Sequence, residues 1–300
     1  MHSAIAAFSS SHFYRGLVFN ATNETPHAHL FLESQRDPCT SPIVLVDAPW
    51  GSESRNTFST SSSWGNDAEV AVVIALLEHI NAGFCQPPEI DARIIGSPSL
   101  RSVSAVSVGV VTPYSEQARR ICLANENTLR LPVESRGSIA TRHINSISSG
   151  ASGCIGRLMV STVDAFQGSE MDIIILSCVR SSSSGIAPKN IGFLADPRRL
   201  NVAITRARKS LILVGNLQWL GTCDNTWRSL IQHSAAVGLT IPLHPPIYTV
   251  GRADLEGRAI PSSSVTGSVP VSQVKECKAL QHGFEKAAKH LGIKIGYGPG

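Results

Sequence analysis

The 300-residue chain is 42% hydrophobic and 16% charged, with a formal net charge of +4. The apolar share is enough to bury a substantial core, and the mild positive balance permits a nucleic-acid partner without demanding one. The longest apolar run, Val70 to Leu77, is too short to cross a bilayer. No two of the seven cysteines stand at zinc or redox spacing, so they read as reduced thiols of a cytoplasmic or nuclear protein.

In chain order, Ile5, Phe8 and Phe13 mark an amphipathic helix over residues 2–14. Ile43 to Asp47 is a buried strand ending in a carboxylate. Such an Asp can hold Mg²⁺ when a phosphate loop precedes it; none does, and a core strand is the preferred reading. Residues 51–65 read as a Ser/Gly-rich loop. Asn66 then caps a helix, with Glu69 completing a capping-box-like start, and Gly83 ends it. Val106 to Val111 is a strand leading into a helix from about Ser115 to Ala124, started by Ser115 or Thr112. Residues 84–105 and 125–156 read as insertions. The basic cluster of Arg130, Arg136, Arg142 and His143 in the second could serve a single-stranded nucleic acid, but a solvated loop face is the preferred reading.

The informative stretch runs from Leu158 to Asn216. A strand precedes the turn Gln167-Gly168-Ser169-Glu170, and a second strand covers Asp172 to Arg180. Asp196 and Pro197 form a helix start, and Leu200, Ala203, Ile204 and Ala207 give an apolar stripe at i, i+3, i+4, i+7. On this spacing Arg199 and Arg206 share one side of the helix, suited to anchoring phosphate through fixed guanidinium forks. Strand Leu211 to Val214 closes the unit. Short helices over 217–220 and 226–236, then strand Leu239 to Ile241, follow; residues 243–300 read as linker and tail, with a helix over 271–291. Strands alternating with helices predict a mainly parallel α/β sheet, with ligands at the carboxyl ends of its strands. Thr112, Asp164 to Glu170, and Arg180 are expected on that one rim.

Together these pieces resemble the second RecA-like domain of superfamily-one helicases of the up-frameshift, senataxin and NFX1-type group. Val110 to Gln117 resembles motif IV, Val163 to Arg180 motif V, and Ile191 to Asn216 motif VI. Met1-His2 looks like the tail of the R-M-H-P motif, with Ser3 in place of the proline, and Asn66 to Glu69 is similar to the N-x-x-E helix start. The resemblance covers residues 1–242 and implies a P-loop NTPase fold without its own P-loop: no G-x-x-x-x-G-K-[ST] occurs, nor a strand ending in Asp-Glu.

By the resemblance, Arg206 is the finger that reaches the γ-phosphate of ATP. Gln167, Gly168, Glu170 and Arg199 face the nucleotide. Thr112, Pro113, Tyr114 and Thr162 face the nucleic-acid backbone, with Ser177 a further phosphate contact and Arg208 structural. No metal ligand is assigned. ATP and Mg²⁺ would bind only with a first RecA-like domain, the expected partner alongside single-stranded RNA or DNA. The expectation is a C-terminal half of a helicase without ATPase activity of its own. The alternatives are a non-catalytic nucleic-acid or protein-binding module and a truncated gene product.

Overall fold

A computed structural model describes residues 1–20, 41–55, 63–82, 105–134, 153–181, 191–244 and 277–293. The elements are α1 (Ser3–Tyr14), β1 (Ile43–Asp47), β2 (Ser54–Arg55), β3 (Trp64–Gly65), α2 (Asp67–Asn81), β4 (Val106–Thr112), α3 (Ser115–Asn127), β5 (Ile155–Thr162), β6 (Met171–Ser177), α4 (Pro197–Ile204), β7 (Ala207–Gly215), α5 (Leu217–Cys223), α6 (Asn225–Val237), β8 (Leu239–Pro242) and α7 (Lys278–His290). A 3₁₀ turn, Gly192–Ala195, leads into α4.

Six strands form one sheet in the order β5-β4-β6-β7-β1-β8. Every pairing in it is parallel. A sheet covered on both faces needs strands apolar on both sides. The sequence meets that need: Val44 and Val46 of β1, and Ile173 and Ile175 of β6, enter one core with α2, α3 and α7. Their alternates, Ile43, Leu45, Ile174 and Leu176, enter the opposite core with α1, α4, α5 and α6. The terminal helix α7 lays Leu280, Phe284 and Ala287 into the first core.

Several local expectations give way to tertiary packing. Residues 51–65 contribute a short antiparallel hairpin, β2–β3, rather than loop alone. Asn66 accepts from Glu69 N at 3.3 Å as a cap, but Glu69 does not close a capping box: the Asn66 backbone N–H donates to Gln117 Oε1 at 2.8 Å, and Glu69 Oε1 accepts from the Asn66 side chain instead, at 3.4 Å. Neither Ser115 nor Thr112 caps α3; Glu116 N instead donates to Ser63 Oγ at 3.2 Å. Helix α3 continues to Asn127, and residues 128–134 run back to bridge Val133 with Leu158, so the second insertion is shorter than expected among the described residues. Helix α2 ends at Asn81; Gly83, the 84–104 segment, Arg136, Arg142 and His143 lie outside the described residues. Asp47 is the core-strand aspartate: its carboxylate accepts from Leu217 N at 2.9 Å, starting α5, and burial pushes its pKa up to about 6.

The largest correction concerns α4. The stripe reaches Ile204 and stops; Ala207 is the first residue of β7, not the last helical contact. Arg206 therefore lies in the turn between helix and strand and does not share a helix side with Arg199.

Candidate functional site

In a parallel sheet all strands start at one edge and end at the other. The expected residues divide between these two edges. At the carboxyl rim a groove of about 980 Å³ opens over the ends of β4 and β5, lined by Pro113, Tyr114, Thr162, Asp164, Arg180 and Arg199 together with Trp64 and Phe193. Arg199 sits here: its guanidinium pairs with Asp164 at 3.1 Å and lies 4.6 Å over the Phe193 ring. Tyr114 is buried; its hydroxyl donates to Ile191 O at 3.5 Å and its ring meets Phe193 edge-on. Thr112 is fully buried at the same strand end, where its Oγ1 accepts from Tyr114 N at 3.4 Å. Thr162 Oγ1 accepts from Ala165 N at 3.4 Å and helps turn the chain after β5.

From there the backbone leaves the rim. Phe166 is buried under the sheet, where there is no room for a side chain on Gly109: a Cβ there would stand 2.6 Å from the Phe166 ring. Gly168 has φ +82°, in the left-handed region that favours glycine, with open space around it. Gln167 is exposed beside it. The segment then reaches the opposite edge, where Glu170 precedes the first residue of β6. So Glu170 does not join Thr112 and Arg180; the single rim expected from sequence is two.

At this amino edge, Met171 N donates to Arg206 O at 3.1 Å, which fixes Arg206 beside the start of β6. The Arg206 side chain folds back on α4: Nε donates to Val202 O at 3.0 Å and a terminal nitrogen to Thr205 Oγ1 at 3.1 Å. Other N–H groups of the fork remain for an anion. Arg208 and Glu170 pair at 3.3 Å, both about half exposed. His2 N donates to Arg208 O at 2.7 Å, so the Met1-His2 segment also reaches this edge.

A buried polar network underlies the carboxyl rim. Glu69 is fully buried. It accepts from Ser177 Oγ at 2.7 Å and Val179 N at 2.9 Å, and Gln117 Nε2 donates to Ser177 Oγ at 2.9 Å. Burial raises the Glu69 carboxyl to about 7, against the lowering effect of these donors. Ser177 is thus spent inside the protein and presents no hydroxyl to a phosphate. Val179 has φ +70°, strained for a β-branched residue. The Glu69 carboxylate holds its N–H, and the next residue, Arg180, is aimed at Glu53 at 2.6 Å. Sequence reasoning took Glu69 as a cap and saw nothing in Val179. The only signal was an acid on the apolar side of α2, among Val70, Val73 and Ile74.

Among the described residues no group of three or more His, Cys, Asp or Glu side chains is placed to hold a metal ion. No helix among them is long and apolar enough to cross a membrane.

Residues 1–218 match the AAA domain family. The chain belongs to that family, as a superfamily-one helicase domain of the Upf1 and senataxin type. It is 31% identical to a probable helicase of Dictyostelium discoideum over 81% of this chain and 20% of that protein. It is 30% identical to the regulator of nonsense transcripts 1 homolog of Neurospora crassa, over 78% of this chain and 17% of the relative. The helicase sen1 of Schizosaccharomyces pombe is likewise 30% identical, over 87% of this chain and 12% of its own length. The chain thus spans about a fifth or less of these three relatives.

Proposed function

We propose that residues 1–242 act as the second RecA-like motor domain of an ATP-dependent helicase on single-stranded RNA or DNA, in the cytoplasm or nucleus. The amino edge is the nucleotide side and the carboxyl rim the strand side. The observation that carries this reading is the meeting of Arg206, Arg208 and Glu170 at one edge while the aromatic groove opens at the other.

At the amino edge the residues suit a nucleotide. Glu170 is an exposed acceptor for a sugar hydroxyl, the left-handed turn at Gly168 exposes backbone next to Gln167, and Arg206 supplies a permanent positive charge. A bound ATP supplies the transferable phosphoryl group, and its Mg²⁺ screens the phosphate charge. Arg206 would leave Val202 and Thr205 to hold the developing negative charge of the transferring group, an arginine-finger role worth about 10³–10⁵ in rate. The residues described here do not fit Mg²⁺ ligation, and the sequence carries no phosphate-cradling loop. Both belong to a first RecA-like domain, the partner this edge requires.

At the carboxyl rim Pro113, Thr162 and the turn after them offer hydroxyl and backbone groups to a strand, while Thr112 and Tyr114 shape the groove from beneath. Arg199, expected at the nucleotide, joins the strand side by its place next to Asp164 and Phe193. Purified 300-residue chain is expected to hydrolyse no ATP, with or without single-stranded RNA. Turnover above background that is lost in Arg206→Ala refutes the reading. A non-catalytic strand-binding module is the second reading, resting on the aromatic groove alone. It is distinguished by strand binding that persists without any ATPase when a first motor domain is supplied.

A further inference from the structure

The hairpin β2–β3 brings one aromatic ring to the groove that none of the matched motifs contains. Arg55 and Trp64 are direct antiparallel partners, so their side chains project from the same face at close range. The Arg55 guanidinium lies 4.2 Å from the centre of the Trp64 ring, and that of Arg180 lies 5.0 Å from it. The two arginines differ. Arg180 is held by Glu53 at 2.6 Å and its side chain is 13% exposed. Arg55 is exposed, and among the described residues no carboxylate pairs with it. The platform itself is fixed: Ser54 Oγ accepts from Arg120 at 2.9 Å, and Ser63 Oγ accepts from Glu116 N at 3.2 Å.

We propose that Trp64 is a base-stacking platform for a single strand in this groove, and that Arg55 is the group the incoming base displaces. The proposal rests on the reading of the groove as the strand side. A guanidinium and a nucleobase are both flat groups that stack on an indole face, so one can take the other's place. An exposed cation–π contact is worth roughly two- to fivefold in an equilibrium, whereas stacking of a base on an aromatic side chain is worth roughly 5- to 150-fold. The exchange therefore favours the base. The displaced Arg55 is long enough to turn from the ring to the adjacent phosphate, which adds one counterion-releasing contact.

The test uses the full 300-residue chain with two labelled RNAs of roughly twelve nucleotides, within the usual site size: oligouridylate and an abasic strand with the same phosphates. Fluorescence anisotropy is read across a salt series. Trp64→Leu keeps apolar bulk in the hairpin without a stacking ring, and Trp64→Phe keeps a ring, so loss of folding cannot imitate the result. The expected outcome is a roughly 5- to 150-fold loss of oligouridylate affinity in Trp64→Leu, partial retention in Trp64→Phe, and unchanged affinity for the abasic strand in both. Arg55→Ala is expected to lower the salt slope on oligouridylate by about 0.7. Equal loss on both strands, or no loss in Trp64→Leu, overturns the stacking platform while leaving the groove reading intact. Binding of neither strand by the unmodified chain overturns the groove reading and this proposal with it.

Discussion

The two edges of the sheet are built on different physical plans. The carboxyl rim is reinforced from beneath. Glu69, Ser177, Gln117 and Asn66 form a buried hydrogen-bonded network that holds Val179 in a strained conformation and sets Arg180 against the groove wall. The amino edge is held mainly by backbone: Met171 to Arg206 and His2 to Arg208. Of its charged side chains, Arg208 and Glu170 are half exposed and Arg206 folds back on the end of α4. A rim that recognises a ligand by shape needs rigid support, whereas an edge that completes its site against another domain can keep its cations near solvent. The comparison teaches that lesions at the two edges should separate cleanly.

The largest separation is expected for Arg206→Ala in a protein where this chain is joined to the first motor domain of a relative such as the fission yeast upf1. ATP turnover should fall by about 10³-fold or more, while thermal stability changes by less than about 1 kcal/mol. A phosphate-release assay and a melting curve read both. Next in size is Glu69→Ala, which leaves the Ser177 hydroxyl hydrogen and the Val179 N–H without their carboxylate acceptor inside the core. It should cost about 3 kcal/mol or more in urea denaturation, with loss of strand binding through the displaced Arg180. If Glu69→Ala proves neutral, the carboxyl rim is not supported as described.

The same network predicts a pH effect. Glu69 and Asp47 titrate at about 7 and about 6 in the native chain, raised from ordinary values of 4.5 and 3.8. The folded state therefore holds protons that the unfolded chain has released. Their contribution to stability is full below about pH 4 and is lost as pH rises through 6 and 7. Melting should occur at higher temperature near pH 5.5 than near pH 7.5, and Glu69→Gln should flatten that dependence. The smallest effect is expected at the amino edge. Breaking the exposed Arg208–Glu170 pair with Glu170→Ala should change stability by no more than about 0–1 kcal/mol, while raising the Michaelis constant for ATP in the joined protein.

Much of the fold was legible because its code is local. Strands apolar on both faces announce a covered parallel sheet, and Asp196-Pro197 starts α4 as expected, with Asp196 accepting from Arg198 N at 2.9 Å. The end of α4 was illegible for the opposite reason. Ala207 suits both a helical stripe and a buried strand position, and only its pairing opposite Met171 decides for the strand. That one boundary moved Arg206 off the helix, while the run from Thr162 to Met171 between two parallel strands carried Glu170 to the opposite edge and split the expected single rim. The hairpin was missed because Ser54, Arg55, Trp64 and Gly65 are too few for any periodicity. Glu69 was misread because a cap and a buried network member share the same sequence signal. The family resemblance carried the rest, and the match over residues 1–218 supports it.

The contrast between the edges rests on two arginines seven positions apart, and one experiment sets them directly against each other. Single-strand affinity of the 300-residue chain is measured for Arg199→Ala and Arg206→Ala across a salt series. The account predicts that Arg199→Ala weakens binding by about tenfold and lowers the salt slope by about 0.7, while Arg206→Ala stays within about twofold. Equal losses in the two variants, or a larger loss in Arg206→Ala, would contradict the division of labour between the rims.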